Sequence, residues 1–280
     1  MNSTFDIKRW WLLVGRHWSE NQKRYLLSLL AIPGLLTAWL GFATLIGGIH
    51  PLNYGIQYIT YMGGLYIVGC FYASIQFSDL GSRPKAIIFL TLPASHLEKL
   101  LCAILYGVLL FFIVYTIIFY AIDIPMVRIA DGIGYQRFLS ADHSTKAKFM
   151  FDRVLPLMNY YDENFNNGYL LLFIAYFPIQ SAFLLGSVYF IRYSFIKTTI
   201  AVLLLWLLFT LLIIEVFSNL PPTGWRDENI ASWGQLNGFG EVNKIRISPW
   251  IEGFLDFLLK YSIPIVLWVI TYFRLKEKEI

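Results

Sequence analysis

The chain has 280 residues, of which 57% are hydrophobic and 14% charged, and its mean hydropathy is positive. An average soluble domain is about 45–50% apolar and about 25% charged, so the composition points to a membrane protein and away from an ordinary soluble enzyme. The formal charge of +4 comes without a dense basic tract, which argues against a nucleic-acid partner.

In chain order, the first stretch, FDIKRWWLLVGRHW, mixes Phe5, Trp10, Trp11, Leu12, Leu13 and Trp18 with Lys8, Arg9, Arg16 and His17. Basic residues beside Trp and Leu predict an amphipathic helix over residues 1–24, lying in a headgroup layer. The segment lacks the short apolar core and small-residue cleavage site of a signal peptide, so the first apolar run is expected to be retained. Six windows are long and apolar enough to span a bilayer, which takes about 20 residues each. They are Tyr25–Gly48, Ile56–Phe77, Leu97–Ile122, Gly168–Ile191, Thr198–Phe217 and Phe254–Phe273. Together they predict a six-helix transmembrane domain over 25–273 and a short tail over 274–280. Pro33, Pro178 and Pro264 fall inside these windows. The small residues Gly63, Gly64, Gly69, Ala73 and Ser74 of the second would allow close helix approach. Cys70 and Cys102 sit in apolar runs without zinc or CxxC spacing and read as small buried hydrophobes.

Lysines and arginines flanking the windows set the expected orientation. With the N-terminus inside, Lys8, Arg9, Arg16, Lys23, Arg24, Arg83, Lys85, Lys99, Arg192, Lys197, Arg274, Lys276 and Lys278 all face the cytoplasm. The first outer loop, IHPLNYG, carries none. Both termini are therefore expected to be cytoplasmic. The fold class is an all-α membrane protein with six transmembrane helices and an N-terminal interfacial helix.

Three loops carry more than a turn. The inner loop, 78–97, reads as a helix stop at Gly81, a short helix over about Pro84–Leu92, a stop at Pro93, and a restart. The restart is marked by Ser95 and Glu98, the S-x-x-E of a capping box. The short helix holds Ile87, Ile88, Phe89 and Leu92, and apolar side chains held outside the bilayer need a cover. The outer segment 123–167 is polar with scattered aromatics and is expected to form a small helical cap. In the other outer segment, 218–253, the stretch leading into the last window is expected to hold an amphipathic helix over Trp250–Leu258.

Recognisable catalytic chemistry is missing. There is no GxxxxGK[ST], HExxH or GxSxG motif, and His17, His50, His96 and His143 stand at no metal-ligand spacing. Glu215 is the one acidic residue well inside a window, and an intramembrane carboxylate is a candidate functional group.

The order of these features resembles the permease subunit of ABC-2-type transporters. LTLPASHLEKLL is similar to that family's LP-x-S segment, in which leucine, proline and a small residue precede a helix carrying a basic residue. The resemblance implies an elbow helix at Phe5–Trp18, an ATPase-coupling helix formed by Pro84, Ile87, Ile88, Phe89, Leu92 and Pro93, and a re-entrant element at Trp250–Leu258. It also implies an ABC-type ATPase partner that binds ATP and Mg, a second permease copy or homologous permease, surrounding membrane lipid, and a bacterial inner (plasma) membrane setting. On this reading the chain exports a substrate and is not itself an enzyme. The alternative is a non-transporting membrane partner, such as a sensor, immunity or assembly subunit. An intramembrane enzyme is a third reading, for which the sequence holds no catalytic constellation.

Overall fold

Asp6 is extended and its side chain accepts from the Lys8 backbone N–H, and from this cap α1 runs unbroken over Ile7–Ile46. The interfacial helix expected over 1–24 and the span expected from Tyr25 are thus one helix of 40 residues, about 60 Å long. The joining stretch SENQKRY holds no proline or glycine, and Glu, Gln, Lys and Arg are good helix formers, so nothing stops the helix there. The structure is a computed structural model and describes residues 5–140, 154–157, 163–190, 192–218, 250, 257 and 261–278, with the side chains of 83, 163–171 and 216–218 excepted.

After α1 come α2 (Tyr54–Ile75), a 3₁₀ turn (Ser78–Gly81), α3 (Arg83–Leu90) and α4 (His96–Ile104). A π-helical stretch, Leu105–Leu110, joins α4 without interruption to α5 (Phe111–Ser140), and α6 (Glu163–Tyr189), α7 (Ser194–Ser218) and α8 (Ile263–Glu277) complete the set. The described residues contain no strand. Five of their helical stretches are long and apolar enough to cross a membrane: Ile7–Ile46, Tyr54–Ile75, His96–Ser140, Leu172–Tyr189 and Ser194–Glu215. The chain is an all-helical, multi-pass membrane protein. Of the sixth expected window, helix is described from Ile263 to Phe273, and residues 258–260 lie outside the described residues. The same holds for 251–256, so the element expected at Trp250–Leu258 lies largely outside them, as does 219–249.

The third expected window does not end at Ile122. Helix continues through Pro125 to Ser140, which makes His96–Ser140 a 45-residue stretch. Its buried positions explain the continuation: Phe119, Asp123, Val127, Ala130 and Gly134 recur at helical spacing and pack the far half of α5 against neighbouring elements. Leu40 of α1 and Leu52 join Val127 and Ala130 in one buried cluster there. Contacts between α1 and α4–α5 ascend together, from Arg9 with Glu98, through Val14 with Cys102 and Tyr106, to the Gly47 carbonyl with Arg137. The two longest helices therefore run parallel, side by side.

Both ends of this pair are pinned. At the far end the Arg137 guanidinium donates to the carbonyl oxygens of Thr44 (3.1 Å), Leu45 (2.8 Å), Gly48 (3.1 Å) and Gly47. Thr44 and Leu45 belong to the last turn of α1 and Gly47 and Gly48 follow it directly, where carbonyls have no intrahelical partner and the helix dipole favours a cation.

α2 lies antiparallel against the middle of α5 and also packs along α6, and its small residues decide how close they come. A Cβ at Gly64 would collide with the Tyr115 hydroxyl, and one at Gly69 with the Gln180 amide, whereas Gly63 faces open space. The core between these helices is rich in tyrosine, and the hydroxyls bond backbone oxygens. Tyr66 donates to Leu172 (2.6 Å), Tyr176 to Val108 (3.1 Å) in the π-helical stretch, and Tyr115 to Tyr61 (3.2 Å). Tyr61 and Tyr72 are buried in this core, whereas Trp39 is exposed and donates to Thr60 (3.0 Å).

Two stability changes follow. Arg137→Ala is expected to destabilise the fold by about 1.5–3 kcal/mol, the scale of a charged hydrogen bond, read as thermal unfolding in detergent. Gly64→Ala is expected to cost about 1–3 kcal/mol through overpacking, and less in a Tyr115→Phe background, where the obstructing hydroxyl is gone.

Candidate functional site

The richest concentration of polar and exposed apolar groups lies at the amino end of α1 and α4, around Glu98. Ser95 starts α4: its hydroxyl accepts from the Glu98 N–H, and the Glu98 carboxylate accepts from the Ser95 N–H at 2.8 Å, the two halves of a capping box. Glu98 does more than cap. Its carboxylate, fully buried, also accepts from the Asp6 N–H at 2.9 Å and from Arg9, whose Nε lies 2.8 Å and Nη2 2.7 Å from its two oxygens. One side chain thus terminates α4, meets an orphan N–H at the start of α1, and pairs a charge on α1.

α3 hangs from this junction. Pro84 occupies its first turn, where a missing N–H costs nothing. Buried Lys99 closes the other end by donating to the Leu90 carbonyl at 3.0 Å, and its ammonium sits 5.4 Å from the Phe89 ring centroid. Phe89 meets Phe77 edge to face at 6.1 Å, and Ala86 and Leu90 pack on the same cluster, which includes Leu80, Leu100 and Leu275. Positions 86, 89 and 90 therefore form the inward stripe of α3.

Six residues were expected to act as one coupling surface on a helix over about Pro84–Leu92, but α3 ends at Leu90, so Leu92 and Pro93 follow it, and exposure divides the six. Ile87 (62% exposed) and Ile88 (57%) point away from the protein, with Pro84, Lys85 and Pro93 exposed beside them. Phe89 and Leu92 are half-buried, and Phe89 belongs to the supporting core. Lys85 reaches Asp79 of the 3₁₀ turn at 3.7 Å, an exposed ion pair of little energetic weight.

Compared with protein-family models, curated proteins and solved structures, the chain matches none of them. What the site can do is therefore argued from its geometry. Among the described residues no three His, Cys, Asp or Glu side chains gather as metal ligands. Asp142 and His143 lie outside the described residues. Glu215 is exposed on α7, 21 residues beyond the α6–α7 turn, and is not brought to the Glu98 end. The cluster around Glu98 is made of helix caps and an ion pair. It is built to hold a short apolar helix in one orientation.

Sequence reasoning missed Arg9 as the partner of Glu98, because the two stand 89 positions apart. It also missed the inward stripe of α3, although the 86, 89, 90 spacing is visible in KAIIFL.

Ser95→Ala is expected to cost about 1 kcal/mol, the usual scale of an N-cap. Lys99→Met, which keeps the length of the side chain but removes its donor, is expected to speed amide exchange across Arg83–Leu90 while leaving α2 protected.

Proposed function

We propose that this chain is the membrane-spanning permease subunit of an ATP-binding-cassette exporter and that α3 is the element a separate ATPase subunit grips. The observation that carries the reading is α3 itself. A short helix standing off the end of a membrane bundle presents two large exposed aliphatic side chains, while its other face is keyed into the bundle. Such a helix is a poor anchor, since two isoleucines offer little buried area, but a good lever. Covering Ile87 and Ile88 would contribute about 1.5–3 kcal/mol each.

In this account the chain contributes no bond-making chemistry. The partner ATPase holds ATP and Mg, and closure of two ATPase subunits displaces α3. The displacement passes through Phe89 to Phe77 and the core beneath, and through Lys99 and Glu98 to α4 and, by Arg9, to α1. Two permeases, as a homodimer or with a homologous chain, would shift between inward- and outward-facing states, each favoured by differential affinity. The proposed setting is the bacterial plasma membrane, with six spans and both termini in the cytoplasm, consistent with the lysines and arginines near the α3 end.

The test is gentle-detergent purification of the tagged chain from its native cell with mass spectrometry of co-purifying proteins, beside an Ile87→Asp, Ile88→Asp variant. Because both isoleucines are exposed, the variant is expected to melt with the wild type. A P-loop ATPase is expected with the wild type and lost from the variant. A well-folded wild type that brings no such ATPase would overturn the reading and favour a non-transporting membrane partner whose α3 lies on lipid.

A further inference from the structure

The far half of α5 carries a second buried carboxylate that the permease reading does not use. Asp123 is fully buried and lies one residue beyond the apolar run that ends at Ile122. Its Oδ2 accepts from the Leu157 N–H at 3.2 Å, and its Oδ1, although buried, has no hydrogen-bond partner among the described residues. Gln57 of α2, also fully buried, repeats the pattern. Its Nε2 donates to the carbonyls of Leu52 (2.9 Å) and Leu155 (3.1 Å), and its Oε1 has no partner among the described residues. Gln57 and Asp123 thus hold the same strap, Val154–Leu157, at positions two residues apart, which a chain spans in at most about 7 Å. Asp131, two turns further along α5, holds the start of the strap by accepting from the Val154 N–H at 3.2 Å.

Two buried oxygens without donors, on side chains that hold one strap, are costly, and a proton on the carboxyl gives that strap the donor it lacks. We propose that Asp123 is a proton-binding site: it is a neutral carboxylic acid while the strap is docked, its O–H is the donor that the Gln57 oxygen lacks, and losing that proton loosens the strap. A metal cation fits less well. A hard cation asks for about six oxygens, and the described side chains that hold this strap offer two unpartnered ones, on Gln57 and Asp123.

The surroundings favour the neutral form. The charged or titratable groups on the packed elements are Tyr120, Arg128 and Asp131 of α5 and Tyr54, Tyr58 and Tyr61 of α2, of which Tyr61 touches the Tyr120 ring, while α1 brings Leu40 and Ala43 to this end. Among the described residues no lysine, arginine or histidine reaches the carboxyl. Arg137 is 14 positions on, about 21 Å along the helix, and is committed to the end of α1. A buried carboxyl with no cation beside it is costly to ionise, and an undocked strap would open it to water. Docking is therefore favoured at acid pH and weakens as the pH rises and the proton is lost.

The experiment is hydrogen exchange of the full chain in lipid nanodiscs, following the Leu157 amide from acid to neutral pH and corrected for intrinsic exchange. Protection is expected to fall several-fold from acid to neutral pH in the wild type. In Asp123→Asn, whose amide supplies a donor without a titrating charge, it is expected to stay high throughout. Unchanged wild-type protection across that range, or loss of protection at acid pH in a folded Asp123→Asn chain, would overturn the proposal. Should Asp123→Asn fail to fold, infrared spectra of the wild type decide. A protonated-carboxyl stretch present at acid pH and bleached at neutral pH supports the proposal, and its absence at acid pH refutes it. None of these readouts depends on an ATPase partner or on transport.

Discussion

A carboxylate taken out of water must be surrounded by donors, and the Glu98 end of this protein is organised around that requirement. Glu98 is fully buried and meets two backbone N–H groups and the guanidinium of Arg9. Removing one partner of such a pair leaves an uncompensated buried charge, so the arrangement tolerates little displacement. It joins the beginning of α1 to the beginning of α4, and Lys99, the next residue, fastens α3 to the same place. The orientation of α3, and with it which of its aliphatic side chains face outward, depends on this junction.

Between the two ends, a different logic operates. Lipid is as apolar as leucine, so helices in a bilayer associate through close packing and hydrogen bonds and not through the hydrophobic effect. Gly64 admits the Tyr115 hydroxyl, Gly69 admits the Gln180 amide, and tyrosine hydroxyls find carbonyls on neighbouring helices. α7 shows the contrast, with Leu203, Leu204, Leu205 and Trp206 all exposed and few side chains inward. Arg137 closes the far end by saturating the carbonyls of α1, so the parallel pair α1 and α4–α5 is held at both extremities.

The local signals of the sequence were legible and the distant ones were not. Ser95 and Glu98 announce a helix start by spacing alone, and Pro84 and Pro93 bracket α3, because caps and prolines act within one turn. The partner of Glu98 could not be read, since any of the arginines near the window ends would satisfy a carboxylate equally well. Continuity of α1 was missed by weighting the change from amphipathic to apolar pattern above the absence of any helix breaker at SENQKRY. The end of α5 was misplaced because Asp123, Arg128 and Asp131 read as the start of a separate polar cap, although Phe119, Val127, Ala130 and Gly134 keep the helical stripe through them. That misplacement also hid Asp123, which looked like the first residue of a solvated segment and is instead fully buried.

If Glu98 and Arg9 are the tie that orients this end of the bundle, their contributions to stability must be strongly coupled. The direct measurement is a double-mutant cycle on thermal unfolding with Arg9→Leu, Glu98→Leu and both together. Arg9→Leu strands the buried carboxylate, and removing Glu98 as well relieves that penalty, so the double variant is predicted to melt no lower than Arg9→Leu alone. Losses that simply add would contradict the account, because they would mean that α1 and α4 are held together elsewhere.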